Sequence, residues 1–136
     1  MKCMNHEELL KKADEAKSGA YVPYSRFRVG AALLGKSGCV YTGANVENAS
    51  YPVTCCAERV ALFKAVTEGE REFDAIAVTS DSGELTWPCG VCRQALAEFG
   101  LRMDVIASNS ALENRTMKLE ELLPQAFTGK EMEYLK

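Results

Sequence analysis

The sequence predicts an α/β protein, a three-layer α/β/α sandwich around a mixed five-stranded sheet. Three observations predict it. An amphipathic helix comes first, a hairpin signal follows, and helices then alternate with short apolar runs. The chain has 136 residues, 47% of them hydrophobic and 26% charged. That size suits a single domain over 1–136, which can bury roughly two thirds of its unfolded surface. Residues 128–136 read as a C-terminal tail or a short helix.

Each element has a local cause. Asn5 followed by Glu8 resembles a capping box, and Leu9, Leu10, Ala13 and Ala16 recur at helical spacing. A helix over 6–18, ending at Gly19, follows. Residues 20–26 contain Pro23 and read as a loop. Arg28 to Leu34 and Cys39 to Gly43 flank the turn Gly35-Lys36-Ser37-Gly38, a hairpin signal. Residues 44–54 are polar and irregular. Cys56 to Glu68 is a strong helix stopped by Gly69, and Ala75 to Thr79 is a short buried strand. A loop over 81–88 leads to a helix over Cys89 to Phe99, with Pro88 before it and Gly100 after. Val105 to Ser108 is another strand, and 116–123 holds a short strand followed by a helix.

Composition excludes several functions. Lys plus Arg is 16 and Asp plus Glu is 19, giving a net charge of −3. The positive residues are dispersed, and Glu68, Glu70, Glu72, Glu98, Glu120 and Glu121 oppose a basic groove, so nucleic acid is not an expected partner. No apolar run approaches the roughly 20 residues of a membrane span, so a membrane is not expected either. The N-terminus turns acidic at once and has no apolar signal core, so a cytoplasmic location is expected.

Six cysteines, in a chain read as cytoplasmic, point to metal binding or chemistry rather than to disulfides. Cys89 and Cys92 form a Cys-x-x-Cys pair at a predicted helix start, where i and i+3 share a face and the helix dipole favours thiolates. A redox pair has the same spacing, but the flanking pattern of a thioredoxin-like unit is missing. Cys56 opens another helix, with Glu58 two residues on and Arg59 three residues on. Soft thiolates suit zinc, and three protein ligands leave a position open for water. Arg59 is placed to offset the negative charge of three thiolates. Cys55, Cys39 or Cys3 could instead close the shell as a fourth ligand in a purely structural site, although adjacent helical residues such as Cys55 and Cys56 point about 100° apart. His6, the one histidine, reads as a solvated first-turn residue.

Cys56-Ala57-Glu58 followed by Pro88-Cys89-Gly90-Val91-Cys92 resembles the zinc nucleoside deaminase signature. Ser25 to Ala32, Gly43 to Tyr51, Cys89 to Gln94 and Leu122 to Phe127 extend the resemblance to the short bacterial cytidine deaminases. The resemblance implies one Zn2+ per subunit on Cys56, Cys89 and Cys92, with Cys in place of His at the first position, as in the homotetrameric branch. It implies deamination of cytidine and deoxycytidine to uridine and deoxyuridine in pyrimidine salvage. A metal-activated hydroxide would attack ring position 4, with Glu58 shuttling protons. Asn45 and Glu47 match the ribose contacts, Phe27 the residue lying against the base, and the Ala57 N–H the contact to the base carbonyl. Tyr51 and Phe127 match positions that reach a neighbouring subunit's pocket in a homotetramer. Trp87 departs from the family pattern, which has a small residue there. It leaves open a cytosine-nucleoside antibiotic, blasticidin-like, as an alternative substrate, although its plainer reading is a packed loop residue. Cys55 is expected to be buried and inert.

Overall fold

The computed structural model describes residues 4–129. Cys3 and 130–136, most of the expected C-terminal tail, lie outside the described residues. The strands are β1 (Val29–Gly35), β2 (Val40–Ala44), β3 (Phe73–Ser80), β4 (Asp104–Ser108) and β5 (Asn114–Lys118). The helices are α1 (His6–Ala16), α2 (Ala57–Thr67), α3 (Gly90–Ala97) and α4 (Leu119–Leu122). The strands form one sheet in the order β2-β1-β3-β4-β5. Only β3 and β4 run parallel, and α3 makes the crossover between them. The mixed five-stranded sheet and its flanking helices are those predicted.

The layers follow from strand alternation. Ala32 of β1, Ala75 and Ala77 of β3 and Ile106 of β4 face one side, where Leu9, Leu10 and Ala13 of α1 cover them. Ala31, Leu33, Ile76, Val78 and Val105 face the other side, beneath Ala61, Leu62 and Ala65 of α2 and Leu96 of α3. The small residues on the α1 side let that helix lie close to the sheet.

The helix ends differ from the sequence reading by a residue or two. The Asn5 side chain accepts from the Glu8 N–H at 2.8 Å, as the capping pattern predicts. Beyond Ala16 the chain tightens into a 3-10 turn over Lys17–Gly19. Cys56 and Cys89 are N-cap residues with extended backbones, not the first helical residues. Their side chains make no capping hydrogen bond, which leaves both sulfurs free for another partner.

Helix α2 carries the Cys56-Ala57-Glu58 segment, and Gly43 of β2 sets how closely it approaches the sheet. A methyl group on Gly43 would lie 2.5 Å from the Ala57 carbonyl oxygen and 2.6 Å from the Ala61 nitrogen. Both are backbone atoms, so the helix itself would have to move. Gly43→Ala is therefore expected to destabilise the fold by about 2–4 kcal/mol and to weaken metal retention in the folded fraction. Urea unfolding and zinc content would check it, and a variant as stable as the parent would contradict this packing account.

Candidate metal centre and active site

The N-terminal ends of α2 and α3 meet on the sheet face that those helices cover. There Cys56, Cys89 and Cys92 place their sulfurs within 4.8 Å of one another, and Cys56 Sγ lies 3.9 Å from Cys89 Sγ. Among the described residues this is the one such group of metal-ligating side chains. Cys92 is fully buried, Cys56 is half-buried and Cys89 is exposed, so the group opens toward solvent on one side. Cys55 stands outside it. Its backbone pairs with Val46 in both directions, at 2.9 and 3.0 Å, and burial raises its thiol pKa. It is half-buried rather than fully buried. Cys39 is exposed on the hairpin. Neither closes a fourth position.

The protonation of the sulfurs favours a cation. Hydrogen bonding from Cys92 holds the Cys56 thiol down to about 5, with further help from Arg59 and Cys89 and against the effect of burial. Cys92 is pushed up by its bond to Cys56, by burial and by the Glu58 charge. Cys56 and Cys92 thus oppose each other's ionisation, and a soft dication would let all three sulfurs ionise. The donor set fits zinc, with one position left over.

Arg59 sits where the spacing predicts. Its Nη2 donates to Cys56 Sγ at 3.6 Å and to the Thr54 carbonyl at 3.3 Å. The bond to Cys56 raises its pKa, so it is a permanent positive charge beside the ligands. Its buried Nε makes no hydrogen bond to another protein group.

Glu58 is 4% exposed, and burial pushes its carboxyl up to about 7. A carboxyl near neutrality can both take and give a proton. Ala57 beside it is fully buried. As the first residue of α2 it has a backbone N–H without a partner inside the helix.

Of the remaining predicted residues, Glu47 and Tyr51 line one cavity. A cavity of about 390 Å³ is lined by Tyr24, Ser25, Glu47, Asn48, Tyr51 and Thr54. Small-molecule sites are usually roughly 300–1,000 Å³. Glu47 accepts from the Tyr24 and Ser25 N–H groups, at 3.0 and 3.1 Å, and from the Ser25 hydroxyl. The Ser25 hydroxyl, above all, holds its carboxyl below the usual range, against burial. Asn45 is buried, with Oδ1 accepting from Val29 N and Nδ2 donating to the Phe27 carbonyl, both at 2.9 Å. Its amide therefore holds the entry to β1. Phe27, Tyr51 and Phe127 are all exposed, at 39%, 71% and 60%. Trp87 is half-buried and packs on the core cluster beneath α2 and α3, as the packed-loop reading expects. His6 is exposed, 3.5 Å from Asp104.

Sequence reasoning assigned no role to Arg93 or Gln94. Arg93 donates to the Pro88 carbonyl at 2.7 Å and to the Leu122 carbonyl at 2.9 Å. Gln94 donates to the Phe127 carbonyl at 2.9 Å. Both bind the Leu122 to Phe127 segment to the helix that supplies Cys92. Their place one turn after Cys89 was the available signal.

Residues 4–108 match the family model for the cytidine and deoxycytidylate deaminase zinc-binding region. A cytidine deaminase of Halalkalibacterium halodurans is 52% identical over 130 residues, covering 95% of this chain and 98% of its own. The crystal structure of a cytidine deaminase from Burkholderia pseudomallei superimposes with a TM-score of 0.88 at 45% identity. That match covers 91% of this chain and all of the other. A blasticidin-S deaminase of Bacillus cereus is more distant, 32% identical over 130 residues, covering 89% of this chain and 91% of its own.

Proposed function

The chain belongs to the cytidine and deoxycytidylate deaminase family, and we infer that it hydrolyses cytidine and deoxycytidine to uridine and deoxyuridine with zinc as cofactor. One observation carries this reading. Three convergent cysteine sulfurs stand at the start of the helix that holds a buried, near-neutral glutamate. Cys56, Cys89 and Cys92 would hold one zinc ion per subunit. Zinc, when bound, supplies a Lewis acid that makes water a strong nucleophile at neutral pH.

The residues divide the remaining work. Glu58 accepts a proton from the attacking water and passes it to the pyrimidine ring. It then carries the proton of the newly added hydroxyl to the amine at ring position 4, which leaves as ammonia while that oxygen becomes the product carbonyl. Water supplies the oxygen of the product, so atoms balance without an oxidant. The Ala57 N–H holds the base carbonyl, and Phe27 lies against the base. Asn45 and Glu47 receive the ribose hydroxyls, which a buried polar site can use to reject the free base. Arg59 offsets the charge of the thiolates.

We further propose a homotetramer in which Tyr51 and Phe127 complete a neighbour's pocket. Exposed Tyr21, Tyr24, Tyr51, Val53 and Phe127 support it, since a solvated surface rarely carries so many large apolar side chains. Light scattering after size exclusion should report a tetramer, and a fully active monomer would defeat the shared-site reading. No helix among the described residues is long and apolar enough to cross a membrane. A cytoplasmic salvage enzyme is the role proposed. Loss of the ring amine changes the ultraviolet chromophore, so turnover of cytidine by zinc-loaded protein tests the reaction directly. Folded, zinc-loaded protein that leaves cytidine intact would overturn the reading. The antibiotic alternative rested on Trp87, and the blasticidin-S deaminase is a more distant relative than the cytidine deaminases.

A further inference from the structure

The segment that leads into β1 carries Phe27, and side chains from two other loops hold it. Glu47 takes the Tyr24 and Ser25 N–H groups on Oε1. The Ser25 hydroxyl donates to Glu47 Oε2 and accepts the Phe27 N–H at 3.0 Å. Asn45 brackets Phe27 from the other side, through its carbonyl and the Val29 N–H. Asp81 receives the Arg28 guanidinium on both oxygens, at 3.0 Å each, and the Arg28 N–H at 3.1 Å. Between Ser25 and Phe27, Arg26 sits at φ 59°. Non-glycine residues hold that left-handed conformation only where the surroundings impose it, commonly at ligand clamps.

Ser25 has a particular place in this set. Its single proton goes to Glu47, and one lone pair goes to Phe27. A carboxylate offers roughly four acceptor positions. Three on Glu47 are filled by the Tyr24 and Ser25 groups. The carboxylate is thereby held in one orientation at the cavity wall, with one position left for a hydroxyl.

We propose that Ser25 is a positioning residue that couples sugar recognition to base contact, tying the Glu47 carboxylate to the backbone of Phe27. This rests on the deaminase reading and on the roles given there to Phe27 and Glu47. A substrate hydroxyl seated on Glu47 and a base lying on Phe27 then reinforce each other through one serine. Without the hydroxyl, Glu47 can swing and the Arg26–Phe27 turn loses a constraint. Binding suffers, while the metal and Glu58 stay as they were.

The test uses full-length, zinc-loaded protein. Ser25→Ala is expected to raise KM for cytidine about fivefold, with kcat within about twofold, as loss of one or two hydrogen bonds implies. Zinc content and thermal midpoint stay at the parent's values, because Ser25 is exposed. Ser25→Thr restores KM. In a Glu47→Gln background, Ser25→Ala changes KM by less than about twofold, because the two residues act as one unit. Ser37→Ala removes a similar serine–carboxylate bond, to Glu70, at the far end of β1 and leaves KM unchanged. Unchanged KM in Ser25→Ala would overturn the proposal. So would full additivity with Glu47→Gln, or a joint fall of kcat and thermal midpoint. An unaltered chain that does not turn over cytidine sinks the functional reading and the proposal together. Normal parent turnover with an indifferent Ser25→Ala sinks the proposal alone.

Discussion

Glu58→Gln lowers kcat for cytidine by about 10³–10⁴-fold while zinc stays at one per chain, if this carboxyl carries the protons as the geometry indicates. The glutamine has nearly the same shape, so the packing of a side chain that is 4% exposed is kept. What is lost is the ability to take a proton from water and return it to the ring and the amine. Burial holds the carboxyl at about 7, where both transfers are feasible. An amide can do neither. The three sulfurs are untouched, so metal content should not follow activity. Steady-state kinetics and metal analysis on one preparation separate the two readouts. A zinc-bearing variant with parental turnover would remove Glu58 from the mechanism.

Cys92→Ala removes both metal and activity. Structural zinc sites with four protein ligands bind with about 10–16 kcal/mol, roughly 3 kcal/mol per ligand, so losing one of three thiolates here should weaken binding a hundredfold or more. Cys92 is the fully buried sulfur of the three, so water has little room to take its place. Metal should therefore be lost to a weak chelator that the parent resists. The matching control is Cys55→Ala. Cys55 lies outside the sulfur group and is expected to be dispensable for zinc. Retention of one zinc per chain by Cys92→Ala would refute the ligand assignment. Loss of zinc from Cys55→Ala would instead indicate a closed structural shell with no place for water.

Much of the fold was legible because its causes are local. The Asn5 cap, the Gly35–Gly38 turn, and the Pro88 and Gly100 boundaries depend on hydrogen bonds or backbone preferences within a few residues. The two faces of β1, with Ala31 and Leu33 on one and Ala32 on the other, emerged only in the structure, because the strand is apolar throughout. The cysteine pattern, by contrast, was legible, since Cys-x-x-Cys is a short-range geometry. Placing Cys56 and Cys89 inside their helices was a boundary error of one residue. It mattered chemically, because an N-cap side chain sits at the positive end of the helix, beside its unpaired first N–H groups.

What the sequence by itself determined was the inventory: the elements, three cysteine thiols in a metal-binding pattern, and a carboxylate and an arginine close to one of them. Only the tertiary structure decided how these meet. The N-termini of α2 and α3 converge because both helices cover the same apolar face of the sheet, bringing Cys56 to residues 33 and 36 positions away. The raised pKa of Glu58 comes chiefly from the burial that this packing creates, with a smaller contribution from the nearby Cys56 charge. The double use of Asn45 and Glu47, as clamps on the Phe27 segment at the candidate sugar site, was likewise invisible. Spacing reports which side chains are near along the chain, whereas burial and long-range hydrogen bonds depend on which faces have been pressed together.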